Sequence, residues 1–78
     1  MIMAGLTPIH WKDFERILLY AGCLFLREKG DHRIYGRSGL KRPIVVPRST
    51  NLPVFVIRNN LRILGISVAE YLEILKNI

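Results

Sequence analysis

The spacing of apolar residues changes twice along the chain, and these changes limit the possible fold more than any other feature. Residues 11–21 repeat apolar side chains at helical spacing, residues 23–46 form short strand-like runs, and residues 54–64 return to helical spacing. Gly22 and Pro53 lie near the two changes, and both residue types are typical of element boundaries. The pattern predicts an α+β fold with strands between helices.

The helical segments carry their own start signals. Thr7 is predicted to cap the first helix, with Pro8 in the first helical position. The second helix is predicted to begin at Pro53. Residues 67–70 form a capping box, in which a serine is followed three residues later by a glutamate. This box predicts a third helix over about residues 68–77.

Three short strands are predicted between the first two helices. They cover residues 23–29, 32–37 and 43–46. Gly30-Asp31 has the composition of a tight turn, so the first two strands should form a hairpin. Pro47 should end the third strand, because proline cannot donate to a strand ladder. The three strands together predict one small antiparallel sheet.

Size and composition restrict the class of protein further. The chain has 78 residues and half of them are apolar, which predicts one packed domain over residues 1–78 with a core at about 8–66. Its longest apolar run, residues 17–26, is far shorter than the roughly 20 residues that cross a bilayer, so no membrane span is expected. The first residues lack the pattern of a signal peptide, and Cys23 is the single cysteine. We therefore expect a cytoplasmic protein without an internal disulfide.

Positive charge is concentrated in the middle of the chain. The net charge is +6, yet residues 27–62 alone hold nine Lys or Arg against two acidic residues. The rest of the sequence holds three basic against four acidic residues. Such a concentration favours a polyanionic partner through phosphate contacts, although a solvated basic surface that only maintains solubility gives the same composition.

A short motif within this basic stretch carries a titratable side chain. His32 follows Lys29-Gly30-Asp31 and precedes Arg33. Strand alternation predicts that His32 and Ile34 face one side of the sheet, with Arg33, Tyr35 and Arg37 on the other. His10, the second histidine, is predicted to lie at the surface or at the helix start. Cys23 is predicted to be a small core residue.

Four segments in order resemble the HicA family of bacterial toxin ribonucleases, from Trp11 to about Leu72. They are Ala21-Gly22, Arg27 leading into Lys29-Gly30-x-His32, Ile44 to Pro47, and Leu64 to Ser67. The family usually has Ser or Thr where this chain has Asp31. The resemblance implies a double-stranded-RNA-binding-like α-β-β-β-α fold, with helices on one face of a three-stranded antiparallel sheet. The predicted third helix adds a C-terminal element to that fold.

The resemblance also implies an activity, that of an mRNA interferase acting as the toxin of a type II toxin-antitoxin system without metal or cofactor. Its catalytic residue would be His32, and imidazole suits this chemistry because it exchanges protons near neutral pH. The second acid-base group stays open among Asp31, Tyr35, Lys29 and water. The residues predicted to contact RNA are Lys29, Arg33, Tyr35, Arg37, Lys41, Arg42 and Arg48.

The partner implied by the resemblance is a HicB-type antitoxin that masks His32 and itself binds DNA. Direct DNA binding by this chain is not expected outside such a complex. Val54, Phe55 and Val56 exceed one helical face, which predicts that another chain covers part of this turn. Two other interpretations remain open: a basic module that binds RNA without cutting it, and a decayed toxin that acts only as a protein-binding subunit.

Overall fold

A computed structural model describes residues 5–78 and contains three helices and three strands. The elements follow in the order α1 (Trp11–Tyr20), β1 (Leu24–Lys29), β2 (His32–Gly36), β3 (Ile44–Pro47), α2 (Val54–Leu64) and α3 (Val68–Lys76). The strands form one antiparallel sheet in the order β1-β2-β3. This architecture confirms the predicted α+β fold with its additional C-terminal helix. The predicted domain limits include residues 1–4, which lie outside the described part of the chain.

The β1–β2 hairpin closes through a two-residue loop. Lys29 pairs with His32, and Gly30 adopts a φ of 61°, in the left-handed region that favours glycine. The N–H of Arg48, just beyond β3, donates to the carbonyl of Asp31 at 2.8 Å. Because this bond links the loop to the end of β3, the backbone around His32 is held from both neighbouring strands.

The sheet buries one face against the helices. Tyr35, Ile44 and Val46 from this face are fully buried in the core. The helices and loops complete the same core with Phe14, Ile17, Leu18, Cys23, Leu52, Ile57, Leu61, Leu64 and Tyr71. His32 and Ile34 alternate with the core residues of β2 and therefore belong to the opposite face, as predicted. That second face leaves large apolar side chains exposed at Leu24, Leu26 and Val45.

The first helix begins later than the sequence predicts. Its N-cap is His10, whose Nδ1 accepts a hydrogen bond from the N–H of Lys12 at 3.1 Å, so Thr7 and Pro8 lie before the helix. The physical reason is a backbone bridge between Ile9 and Leu52, in which the N–H of Leu52 donates to the Ile9 carbonyl at 2.7 Å. Pairing with a distant segment holds this stretch extended and delays the helix.

The boundaries of the other elements lie within one residue of the prediction. Pro53 is the N-cap of α2, and Gly65 ends this helix in the left-handed conformation with a φ of 74°. Ser67 caps α3 because its Oγ accepts from the N–H of Glu70 at 3.0 Å. The third strand includes Pro47, since this residue pairs with His32 across the sheet. None of the helices in residues 5–78 has the length and apolar character needed to cross a membrane.

Candidate functional site

His32 lies at the beginning of β2 with half of its side chain exposed to solvent. Its Nδ1 is 3.0 Å from Oδ1 of Asp31, the neighbouring loop residue, whose side chain is 75% exposed. The negative charge of a carboxylate at this distance favours the proton on Nδ1, and so the tautomer in which Nε2 carries a lone pair. The arrangement leaves Nε2 as the nitrogen available to a ligand.

The strand register determines which side chains stand beside His32. Lys29 is its partner on β1 and Pro47 is its partner on β3. Directly paired residues of antiparallel strands point to the same face and lie about 5 Å apart at Cβ. Arg27 pairs with Ile34, the next residue of β2 on this face. The exposed cations of Lys29 and Arg27 therefore flank the imidazole on its β1 side.

On its β3 side, His32 borders a cleft of about 800 Å³ between β3 and α2. Asn60 holds the two elements together, because its buried amide donates to the carbonyl of Val45 at 3.2 Å. The side chains around the cleft comprise one histidine, three arginines, two asparagines and an apolar remainder, without a carboxylate. They are His32, Arg42, Pro43, Val45, Pro47, Val54, Phe55, Val56, Arg58, Asn59, Asn60, Arg62 and Ile63. The cleft is thus suited to a ligand that carries negative charge.

Arg33 and Tyr35 lie on the core side of the sheet, away from His32. The Arg33 guanidinium donates to Glu28 at 2.9 Å, to Glu15 at 3.0 Å and to the Tyr35 hydroxyl at 3.0 Å. It also lies 4.0 Å from the centroid of the Phe25 ring, which is cation–π distance. Arg33 is therefore neutralised by two carboxylates and joins α1 to the sheet, so an RNA contact would require it to leave these partners.

The hydroxyl of Tyr35 completes this network by donating to Oε2 of Glu15. Burial, together with the hydrogen bond to Glu15, raises the pKa of Tyr35 to about 12, although the Arg33 guanidinium acts in the opposite direction. The same contacts raise the pKa of Arg33, the hydrogen bond to Tyr35 first, and keep it charged. Because Tyr35 is fully buried, stacking on a nucleobase would require it to leave the core.

The remaining residues predicted to contact RNA fall into two groups. Arg37 donates to the carbonyl of Ala21 at 2.7 Å and so connects the sheet to the end of α1. The Nε of Arg48 is 3.6 Å from Glu28, which directs it towards the Arg33 network. Lys41 and Arg42, in contrast, are exposed and border a second depression that adjoins the main cleft. Of the seven predicted residues, Lys29 pairs with His32 in the strand register and Arg42 borders the same cleft.

Sequence reasoning missed the exposed residues of α2 that border the cleft, among them Phe55, Arg58 and Arg62. Their spacing of three and then four residues places them on one face of the helix, a signal that was readable from the sequence. Phe55 was recognised only as part of an apolar excess. It is indeed exposed over 73% of its surface.

The other candidate groups have structural surroundings. Cys23 is buried, and burial raises the pKa of its thiol while the nearby Arg37 lowers it. His10 serves as the cap of α1, in agreement with its predicted position at the helix start. Within residues 5–78, no group of three or more His, Cys, Asp or Glu side chains is placed as metal ligands are.

These features define a small basic α+β protein with an exposed histidine beside a carboxylate-free cleft. A family model described as the HicA toxin of bacterial toxin-antitoxin systems matches residues 11–66, which include α1, the sheet and α2. The match covers more than half of the 78 residues, and the chain belongs to the HicA toxin family. Searches of curated proteins and of solved structures gave no significant match.

Proposed function

We propose that this protein is the ribonuclease toxin of a toxin-antitoxin pair and that His32 is its catalytic residue. The observation that carries the proposal is the placement of the imidazole: half-exposed, with Nδ1 3.0 Å from the Asp31 carboxylate, and bordering a cleft lined by three arginines and no carboxylate. Membership of the HicA toxin family supplies the biological class.

The chemistry follows from the free Nε2 nitrogen. As general base, it takes the proton of a ribose 2′-hydroxyl, whose oxygen then attacks the adjacent phosphorus. The bond from phosphorus to the 5′ oxygen breaks, and that oxygen takes a proton from Lys29 or from water. The products of this reaction are a 2′,3′-cyclic phosphate and a 5′-hydroxyl. DNA lacks the attacking hydroxyl and should not be cut.

Cations near His32 would stabilise the crowded negative charge on phosphorus. Lys29 is the cross-strand neighbour of His32, and Arg42 lies in the cleft. Lys41 borders the adjoining depression, where it would contact a more distant phosphate. The RNA contacts predicted for Arg33, Tyr35, Arg37 and Arg48 stay predictions, and their intramolecular bonds argue for a structural role beside or instead of RNA binding.

The partner we propose is a HicB-type antitoxin that covers His32. Val45 pairs with Ile34, and the Leu26 side chain lies over Gly36, so both exposed side chains belong to the sheet face of His32. A protein that buries them also covers the imidazole. Inhibition then needs no change in the fold of the toxin. Addition of the antitoxin should abolish cleavage, and a Leu26→Glu variant should require more antitoxin for the same inhibition.

The test of the catalytic assignment compares wild-type protein with His32→Ala on an unstructured RNA in the presence of a chelator. We expect wild type to release fragments with 2′,3′-cyclic phosphate ends. The alanine variant should lose cleavage by about a hundredfold or more, as general acid-base groups commonly contribute, and keep its affinity for RNA. Equal cleavage by both proteins would remove the assignment. Binding without cleavage by wild type would indicate the non-catalytic module instead.

A further inference from the structure

One face of α2 is exposed and has no role in the core. It carries Phe55, Arg58, Asn59 and Arg62, which recur at intervals of three, one and three residues and so form a stripe along the helix. We call these four residues the α2 stripe. The opposite face of the helix supplies the buried residues, Ile57, Leu61 and Leu64 among them. The composition of the stripe is therefore not explained by the packing of this chain.

The α2 stripe forms one wall of the cleft that His32 borders. The other wall comes from β3 and the loop before it, including Arg42, Pro43 and Pro47. A second depression continues from the first and shares Arg42, Asn59 and Arg62 with it, but His32 and Phe55 do not border it. A basic path thus leads away from the imidazole, past Phe55 and along the stripe.

The charges around this cleft are free to bind a ligand. Arg42, Arg58 and Arg62 make no ion pair within residues 5–78, in contrast to Arg33 on the other side of the sheet. Arg58 and Arg62 are four residues apart on one helix, a spacing at which like charges repel and destabilise the helix. A structural role would not favour this arrangement, whereas an anionic ligand would compensate both charges.

An exposed phenylalanine beside these cations indicates the kind of anion. Phe55 presents a flat apolar ring that is 73% exposed. An unpaired nucleic-acid strand offers both a row of phosphates and planar bases that stack on aromatic rings, while the bases of a duplex are already stacked and paired. An acidic peptide would match the arginines but would leave this ring without a planar partner. The composition of the wall therefore favours a single strand.

We propose that the α2 stripe binds a single-stranded segment of RNA, with Phe55 stacking on a base next to the nucleotide at His32. Arg58 and Arg62 contact the phosphates that follow along the strand, and Asn59 is placed to bond a base edge. This inference rests on the proposed function in taking RNA as the substrate. The inference adds residues that select single-stranded over double-stranded RNA and that set the direction in which the bound strand extends from His32.

The test measures binding in the His32→Ala background, so that a labelled single-stranded RNA stays intact during titration. Phe55→Ala should weaken its binding by roughly five- to a hundredfold, the range found for one base stacked on an aromatic ring. Phe55→Tyr should restore the affinity, because tyrosine keeps the flat ring. A duplex of the same sequence should bind more weakly than the single strand and respond little to either substitution.

Controls distinguish a specific effect of the α2 stripe on RNA binding from an effect of net charge or of misfolding. Arg58→Gln should weaken single-strand binding more than Arg16→Gln, which removes the same charge from the exposed face of α1. Phe55 is exposed, so circular dichroism and thermal unfolding of Phe55→Ala should match the parent protein. Equal effects of Arg58→Gln and Arg16→Gln would show that RNA binding depends on net charge and not on the α2 stripe, and would overturn the proposal.

The outcomes also distinguish this inference from the ribonuclease assignment. If wild type cleaves the RNA and Phe55→Ala cleaves it with an unchanged KM, RNA binding by the α2 stripe is wrong and the ribonuclease assignment is kept. If wild type fails to cleave but Phe55→Ala still weakens RNA binding, RNA binding by the α2 stripe is supported and the ribonuclease assignment is wrong. Unchanged RNA affinity combined with lost binding of the antitoxin would assign the stripe to a protein partner and overturn the inference.

Discussion

Asp31 has two opposing effects at the scale of single residues. Its carboxylate lies 3.0 Å from Nδ1 of His32, where the negative charge favours a proton on that nitrogen. The same carboxylate adds a negative charge at the position where a phosphate would approach the histidine. A serine or threonine, usual at this place in HicA-like sequences, supplies a hydroxyl without that charge. The two effects should separate in kinetic measurements.

Replacing Asp31 with Asn tests this separation. We expect kcat to fall by about tenfold, much less than for a buried triad aspartate, because Asp31 is exposed and water can take over part of its role. KM should fall as well, since a negative charge beside the substrate has been removed. Steady-state cleavage of a short RNA measures both constants. An unchanged kcat with a raised KM would show that Asp31 binds substrate rather than orienting the imidazole.

Tyr35 gives a prediction about alkaline stability. Its pKa is raised to about 12 in the folded protein, from an ordinary value near 10. The unfolded chain therefore loses the phenolic proton first, and the free energy of unfolding should fall as pH rises from 10 to 12, by about 2–3 kcal/mol. Tyr71 also has a raised pKa, through burial, and adds to the same loss.

Denaturant unfolding of wild type and Tyr35→Phe at several pH values isolates the Tyr35 contribution. At neutral pH the variant should be less stable by about 1–3 kcal/mol, because Glu15 and Arg33 each lose a buried hydrogen-bond partner. Above pH 10 its stability should decline less steeply than that of wild type. Parallel curves for the two proteins would show that the Tyr35 proton does not contribute.

At the scale of elements, α3 extends the fold beyond residues 11–66, the part matched by the family model. The helix is not a loose addition, because Tyr71 is 1% exposed and packs its ring 6.3 Å from that of Phe14. The hydroxyl of Tyr71, however, is buried without a hydrogen-bond partner in the described residues. The ring stabilises the attachment of α3 to α1, while the hydroxyl carries a desolvation cost.

Two substitutions at Tyr71 separate the ring from the hydroxyl. Tyr71→Phe keeps the ring and should leave the protein equally stable or more stable by about 1 kcal/mol, since an unsatisfied polar group is removed. Tyr71→Ala should cost about 3–5 kcal/mol through the cavity it leaves. Thermal or denaturant unfolding measures both effects. Destabilisation by Tyr71→Phe would mean that the hydroxyl has a partner in solution, such as a buried water.

At the scale of the whole molecule, the charges that sum to +6 are unevenly distributed around the fold. On the helix side, Arg33 is compensated by Glu15 and Glu28. On the side of His32, the cleft contains arginines and no carboxylate. The cleft is therefore a region of positive potential, and a polyanion such as the proposed RNA should approach the protein from that side.

Salt dependence tests this division of charge. Each phosphate neutralised on a single strand contributes about −0.7 to the slope of log affinity against log salt. Replacing Arg58 and Arg62 together with Gln should reduce the steepness by about 1.4. The charge-matched control, Arg16 and Lys76 both replaced with Gln on α1 and α3, should leave the slope nearly unchanged. Similar slopes for the two double variants would mean that binding follows net charge alone.

Local signals in the sequence determined the element types and the hairpin at Gly30-Asp31. They also determined that His32 and Arg33, neighbours on β2, face opposite sides of the sheet. These features depend on neighbours within a few residues, and the periodicity of apolar side chains and the conformational preferences of Gly and Pro encode them directly. The sequence alone also carried the resemblance to the HicA family, which the family model over residues 11–66 confirms.

Only the tertiary structure decided which cations are free and which are already bound. Arg33 and Arg58 look alike in a sequence, but Arg33 meets Glu15 from α1, whereas Arg58 lines an open cleft. The late start of α1 has the same origin, because Leu52 pairs with Ile9 from far along the chain. Contacts between distant segments depend on how the elements pack, so they cannot be predicted from local patterns in the sequence.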